Sequence, residues 1–327
     1  MPRAKIHLIA KILVAAMVFG FVVWRIGEQW DNGFFTLSQL GEMQERVFHL
    51  YLILLLAPIN WIIEAYKWQT AITKFEPTSV FSTLKIVWYG IGAGLFTPNR
   101  IGDPIARVAM LNPVNRGQGA VMAAVCAMSQ QLATILFGGA GFLLTYMYGT
   151  LPAVGVISGI AILFVAGISL FTLAVVFKYE KLASWLQRIK PAQRWLNRLN
   201  LSLNAPAGKT MPIVLFSILR YAVFSTQLLL MLLLFGYNGS CASLYPAIFL
   251  TYMFASVIPT FAMAEAGVRS GFAIIFIGTL WANPTAIALA ILSLWVINVA
   301  LPGTIGVWSP FFRKQKLDLQ KGYMVKK

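Results

Sequence analysis

Charge is scarce in this sequence. Of its 327 residues only 11% are Asp, Glu, Lys or Arg, while 59% are apolar, and the mean hydropathy is +0.75. A soluble domain of average composition carries roughly a quarter charged residues. The polar surface needed to cover a water-soluble globule of this size is missing. That excludes an ordinary cytosolic enzyme, a disordered chain and a disulfide-stapled secreted module. Cysteine is nearly absent as well: Cys126 and Cys241 stand 115 residues apart in apolar segments. They form no metal-binding spacing, and two buried thiols are expected. With only His7 and His49 available, no metal site is expected. No glycine-rich phosphate loop is present, so neither a nucleotide nor any other cofactor is implied. Acidic residues are few, 10 against 26 basic ones, a net charge of +16. Such an excess can mark a nucleic-acid binder. In so apolar a chain it means instead that basic loops collect on the cytoplasmic side, and no nucleic-acid partner is expected.

What is abundant is apolar sequence in long runs. Six segments, at 6–26, 47–66, 118–147, 153–177, 211–235 and 285–309, approach or exceed the roughly 20 residues a helix needs to cross the hydrocarbon. The first is too long for a signal peptide core and reads as a retained span. Gly138, Gly139 and Gly141 suggest a tilt or bend in the third. Two regions, 78–116 and 244–282, are different: each is an apolar run, a polar tip containing proline, and a second run.

Loop charges fix the sidedness. Residues 178–210 hold seven basic residues and one acid, and 313–327 hold six and one, whereas 27–46 hold four acids and Arg46 alone. Every basic segment falls in the cytoplasm, with both termini, if each odd region enters and leaves on one face. We therefore expect an all-α polytopic membrane protein of the plasma membrane: six long spans and two re-entrant helical hairpins, the alternative being eight or more full spans. The expected domain covers residues 1–312, as inverted repeats at about 1–150 and 151–312, followed by a basic cytoplasmic tail at 313–327.

The two tips share their chemistry. Pro98 is followed by Arg100, Gly102, Asp103 and Arg107, and Pro259 by Glu265, Gly267 and Arg269. In both, the acid precedes an arginine by four, which places the pair on one helical face. Guanidinium groups suit phosphate because their planar donors can bond two oxygens at once. Arg100, Arg107 and Arg269 are thus candidate anion binders, with Asp103 and Glu265 to hold them or to carry a coupling proton. The competing reading is that both pairs are structural ion pairs closing the tips. Arg220, inside an apolar span, either joins the same site or snorkels to the inner headgroups. Glu64 and Lys67 are expected at the inner membrane interface, and Gln130 and Gln131 to bond neighbouring helices. The connector at 178–210 carries Leu182, Trp185, Leu186 and Ile189 at helical spacing beside basic residues. It reads as an amphipathic segment on the inner leaflet or as a plain basic connector.

The stretch Thr97-Pro98-Asn99-Arg100-Ile101-Gly102-Asp103, with Arg107 after it, resembles the flippase-like transmembrane domain of the lysylphosphatidylglycerol synthases, as does the later Pro259…Gly267-Val268-Arg269. Asp103 stands where that family more usually has Glu, and Glu265 precedes the arginine where the family's acid often follows it. The resemblance implies movement of a charged or anionic phospholipid, or of a lipid-linked sugar, between leaflets, with anionic lipid headgroups as partners. The last span is followed by only about 15 residues, so the soluble aminoacyltransferase of the bifunctional members is not expected in this chain. A separate lipid-modifying enzyme is a possible partner. A non-enzymatic translocase is the leading expectation; a membrane-embedded lipid-phosphate transferase and an ion-coupled small-solute transporter are its competitors.

Overall fold

The computed structural model describes residues 40–97, 100–147, 155–191, 193, 210–258, 260 and 262–308, and every regular element among them is helical. The expected span at 6–26, the tip prolines Pro98 and Pro259, and the tail at 313–327 lie outside the described residues.

Helix α1 runs from Leu40 to Ile72 and continues through Pro58. Helices α2 (Val80–Gly94) and α3 (Gly102–Ala109) form the first hairpin. The Ser79 side chain caps α2 by accepting from the Ser82 amide, and the Thr97 hydroxyl accepts from the Gly102 amide at 2.8 Å where α3 begins. A 3-10 turn at Pro113–Asn115 leads into α4 (Arg116–Met147). Then come α5 (Gly155–Phe177), α6 (Tyr179–Arg188) and α7 (Thr210–Leu234). Helices α8 (Cys241–Val257) and α9 (Ala262–Ile277) form the second hairpin. The chain ends its described course with α10 (Pro284–Trp295), a π turn at Val296–Ala300 and α11 (Leu301–Trp308). The π turn fuses α10 and α11 into one long rod.

Among the described residues four stretches are long and apolar enough to cross a membrane: Arg46–Ile72, Pro113–Met147, Thr210–Leu234 and Pro284–Val307. They coincide with four of the six expected spans. The return arm α3, at eight residues, is about 12 Å long and too short to cross.

Packing is reciprocal. Helices α1 and α7 lie against each other. The first hairpin lays α2 on α11, and the second lays α8 on α4. Both contacts depend on glycine. A methyl at Gly306 would collide with the Trp88 backbone, and one at Gly92 with the Gly303 carbonyl. Gly138 faces Met253, and Gly141 faces the Pro246 carbonyl. Small residues of this kind let helix backbones close up where lipid offers no hydrophobic drive. Gly138 and Gly141 thus serve close approach to α8, Gly139 faces Val165 of α5, and α4 remains one continuous helix.

The expectation of two buried thiols holds for Cys126 and fails for Cys241, which is exposed at the first turn of α8. In α6, Leu182 and Trp185 of the expected apolar stripe are exposed.

Candidate functional site

The polar residues of α1 set the site. Asn60, Glu64 and Lys67 follow one another at helical spacing, so they share one face of an otherwise apolar helix. Ile59, Ile62 and Tyr66, on the opposite side, are exposed. Glu64 and Lys67 are 5% and 2% exposed, so both side chains are enclosed by the neighbouring helices. Helix α1 continues two turns past Glu64, and Arg107 and Arg220 from other helices close over its side chain.

Glu64 is the hub. Its carboxylate meets Lys67 Nζ at 2.7 Å, Arg107 Nη1 at 2.6 Å and Arg220 Nη1 at 3.2 Å. Arg107 is held from a second side: its Nε and Nη2 donate to the two Asp103 oxygens at 2.5 and 3.1 Å. This bidentate clamp bonds across one helical turn within α3, as the spacing of four allows. Gly90 of α2 makes the space, since a methyl there would strike the Asp103 carboxylate and come within 2.9 Å of the Arg107 side chain.

Arg220 does not snorkel. Its Nε donates to Asn60 Oδ1 at 3.0 Å and its Nη1 to Gln130 Oε1 at 3.2 Å. Amides extend the network into the core: Asn60 donates to Asn298 at 2.8 Å, Asn298 to Gln227 at 3.1 Å, and Gln227 to the Ile53 carbonyl at 3.1 Å. Asn298 sits in the π turn, a distortion that recurs at functional positions. Gln130 and Gln131 bond α7 and α8 as expected, through the Ser217 carbonyl and the Ser256 hydroxyl.

The second tip contributes a looser group. Arg269 pairs with Glu265 one turn away and lies over the Tyr252 ring at 5.5 Å. Arg100 of the first tip approaches the same Glu265 at 4.0 Å, so this carboxylate links the two hairpins. Arg100 holds a left-handed backbone, φ 55°, at a cost of about 1–2 kcal/mol for a residue with a Cβ.

These groups line one cavity of about 620 Å³ between the hairpin tips, α1, α4, α7 and α10. Arg100, Asp103, Arg107, Arg220, Glu265 and Arg269, all named from the sequence, share its wall. Gly102 is required, because a side chain there would strike the Ala93 carbonyl. Gly267 is not: it is exposed with open space around it, so its expected structural role is corrected. Glu64, Lys67, Asn60 and Asn298 also line the cavity and were missed as site residues. For Asn60, Glu64 and Lys67 the signal is a polar residue every three or four positions in an apolar run. An ionised side chain at membrane depth costs at least about 2.5–3.5 kcal/mol on insertion scales, and such a cluster is a functional site by default.

A family model described as the lysylphosphatidylglycerol synthase TM region matches residues 8–306. No curated protein and no solved structure matches the chain.

Proposed function

The chain belongs to the lysylphosphatidylglycerol synthase transmembrane-region family, a multi-pass membrane family with a lipid-related role, and on that premise we propose that it carries a charged lipid headgroup between leaflets. The observation that carries the reading is the polar cavity walled by two hairpin tips inside a bundle of apolar helices. Its volume suits a headgroup and not a pair of acyl chains. The tips flank it with exposed apolar residues, Ile101 and Ile105 on one side and Val257 and Ile258 on the other, against which tails can remain in lipid.

Two re-entrant hairpins of opposite sidedness would give this cavity access from either leaflet. The reciprocal packing supports that inverted arrangement, since each hairpin rests on the last long helix of the other half. The protein would sit in the plasma membrane with its basic segments inside and act without covalent chemistry. Arg100, Arg220 and Arg269, with side chains 24–30% exposed, face the headgroup. Arg107, Asp103 and Glu64 brace them.

Proteoliposomes test it. Purified protein should accelerate movement of headgroup-labelled anionic phospholipid between leaflets, and Arg269→Gln should abolish the acceleration. Equal rates with and without protein would remove the proposal. Counterflow of a soluble anion, indifferent to lipid, would establish the solute transporter in its place.

A further inference from the structure

The balance of charge in the cavity specifies its ligand more narrowly than any anionic lipid. At the α1 pole, Lys67, Arg107 and Arg220 surround Glu64 and Asp103, three cations on two carboxylates. At the tip pole, Arg100 and Arg269 share Glu265, two cations on one. Each carboxylate lies against at least one cation, and the cations outnumber the carboxylates by formal charge. One positive charge is therefore left over at each pole.

Buried donors without acceptors accompany the surplus. Arg100 Nε has no hydrogen-bond partner, nor do the indole nitrogens of Trp68 and Trp295. Both tryptophans are on the cavity wall, 0% and 7% exposed. These donors are closed into the wall, and the cavity itself offers two uncompensated formal charges to one occupant.

We infer that the cavity is built for a lipid whose headgroup carries two negative charges on its phosphate unit, a phosphomonoester or a diphosphate, with no cationic group attached. This inference rests on the translocase reading for its lipid and adds the charge state of the headgroup. A phosphodiester supplies one negative charge and leaves one pole unbalanced. An aminoacylated phosphodiester brings a further cation into a site already in positive excess, so the lipid that names the family should be refused.

The test is direct binding to the full chain in nanodiscs of zwitterionic lipid, read by native mass spectrometry. The probes are phosphatidate, phosphatidylglycerol, lysylphosphatidylglycerol and inorganic phosphate. Phosphatidate should bind at least about tenfold tighter than phosphatidylglycerol, about 1.4 kcal/mol, with lysylphosphatidylglycerol weaker still. Inorganic phosphate, lacking tails for the apolar rim, should bind far more weakly than phosphatidate. Arg269→Gln, which removes the surplus at one pole, should narrow the phosphatidate preference several-fold. Equal binding of the monoester and the diester, or tighter binding of the lysylated lipid, overturns the inference. So does inorganic phosphate matching phosphatidate. If phosphatidylglycerol is transported but not disfavoured in binding, the charge inference falls and the translocase stands. If phosphatidate is preferred but never moves, the reverse holds.

Discussion

At the first tip Arg107 is closed in on both sides, by Asp103 within its own helix and by Glu64 from α1. At the second, Arg269 has its own acid and the face of Tyr252, and its side chain stays 30% exposed against 9% for Arg107. The same acid-to-arginine spacing therefore serves two ends. A buried pair with a third partner is a strut, because removing one member strands the others. A half-open pair can exchange its partner for a ligand at little cost. The difference lies in what the neighbouring helices present: α1 brings a carboxylate to Arg107, and α8 brings an aromatic ring to Arg269.

The largest break in that comparison is Glu64→Gln. It leaves Lys67, Arg107 and Arg220 around a neutral amide, and breaking a buried ionic cluster costs about 3–5 kcal/mol. The variant should accumulate poorly or melt well below the parent in detergent. Arg269→Gln should melt close to the parent, since a part-exposed pair contributes about 0–1 kcal/mol. Similar melting temperatures for the two variants would erase the distinction between strut and site.

Next in size is Gly90→Ala. The added methyl meets Asp103 and Arg107 where they are clamped, and overpacking costs about 1–3 kcal/mol. Gly267→Ala, at the second tip, has open space and should be silent in the same thermal assay. The pair sharpens the comparison because it tests the tightness of each tip without touching a charge.

Much of this was legible from residues alone. Four of the expected spans coincide with long helices, and the residues of the repeated acid-to-arginine spacing line the cavity. Arg220 could be assigned either way, because a lone arginine in a span looks the same whether it snorkels or pairs. An apolar run ending near Tyr66 puts Glu64 and Lys67 near the end of a span. Local sequence does not say that α1 continues to Ile72 or that Arg107 and Arg220 enclose Glu64 from other helices. Gly267 was overvalued because a glycine beside a charged motif suggests close packing, and only the neighbours reveal whether anything is close.

Tyr252→Leu should have a smaller effect than Glu64→Gln. It removes the ring under Arg269, a cation–π contact contributing about 0.5–1 kcal/mol, and the edge-on contacts with Tyr221 and Phe224. The expected result is a fall in melting temperature and a weaker headgroup affinity, with Tyr252→Phe restoring both because the ring face is kept. Failure of the phenylalanine variant would mean that the hydroxyl, not the ring, positions Arg269.

The smallest expected change in stability is at Arg100, and it carries the comparison furthest. Glycine at this position relieves a left-handed backbone that costs a residue with a Cβ about 1–2 kcal/mol. Against this, glycine loses about 0.5–1 kcal/mol more conformational freedom on folding, and the 4.0 Å approach to Glu265 is lost. These terms nearly cancel, so Arg100→Gly should melt within a few degrees of the parent. Its lipid movement should nonetheless collapse, because a strained backbone carrying an arginine into the cavity is better explained by what the guanidinium binds than by the fold it supports. If Arg100→Gly keeps full transport, or destabilises as much as Gly90→Ala, then Arg100 belongs with Arg107 among the struts and the open site shrinks to the second tip alone.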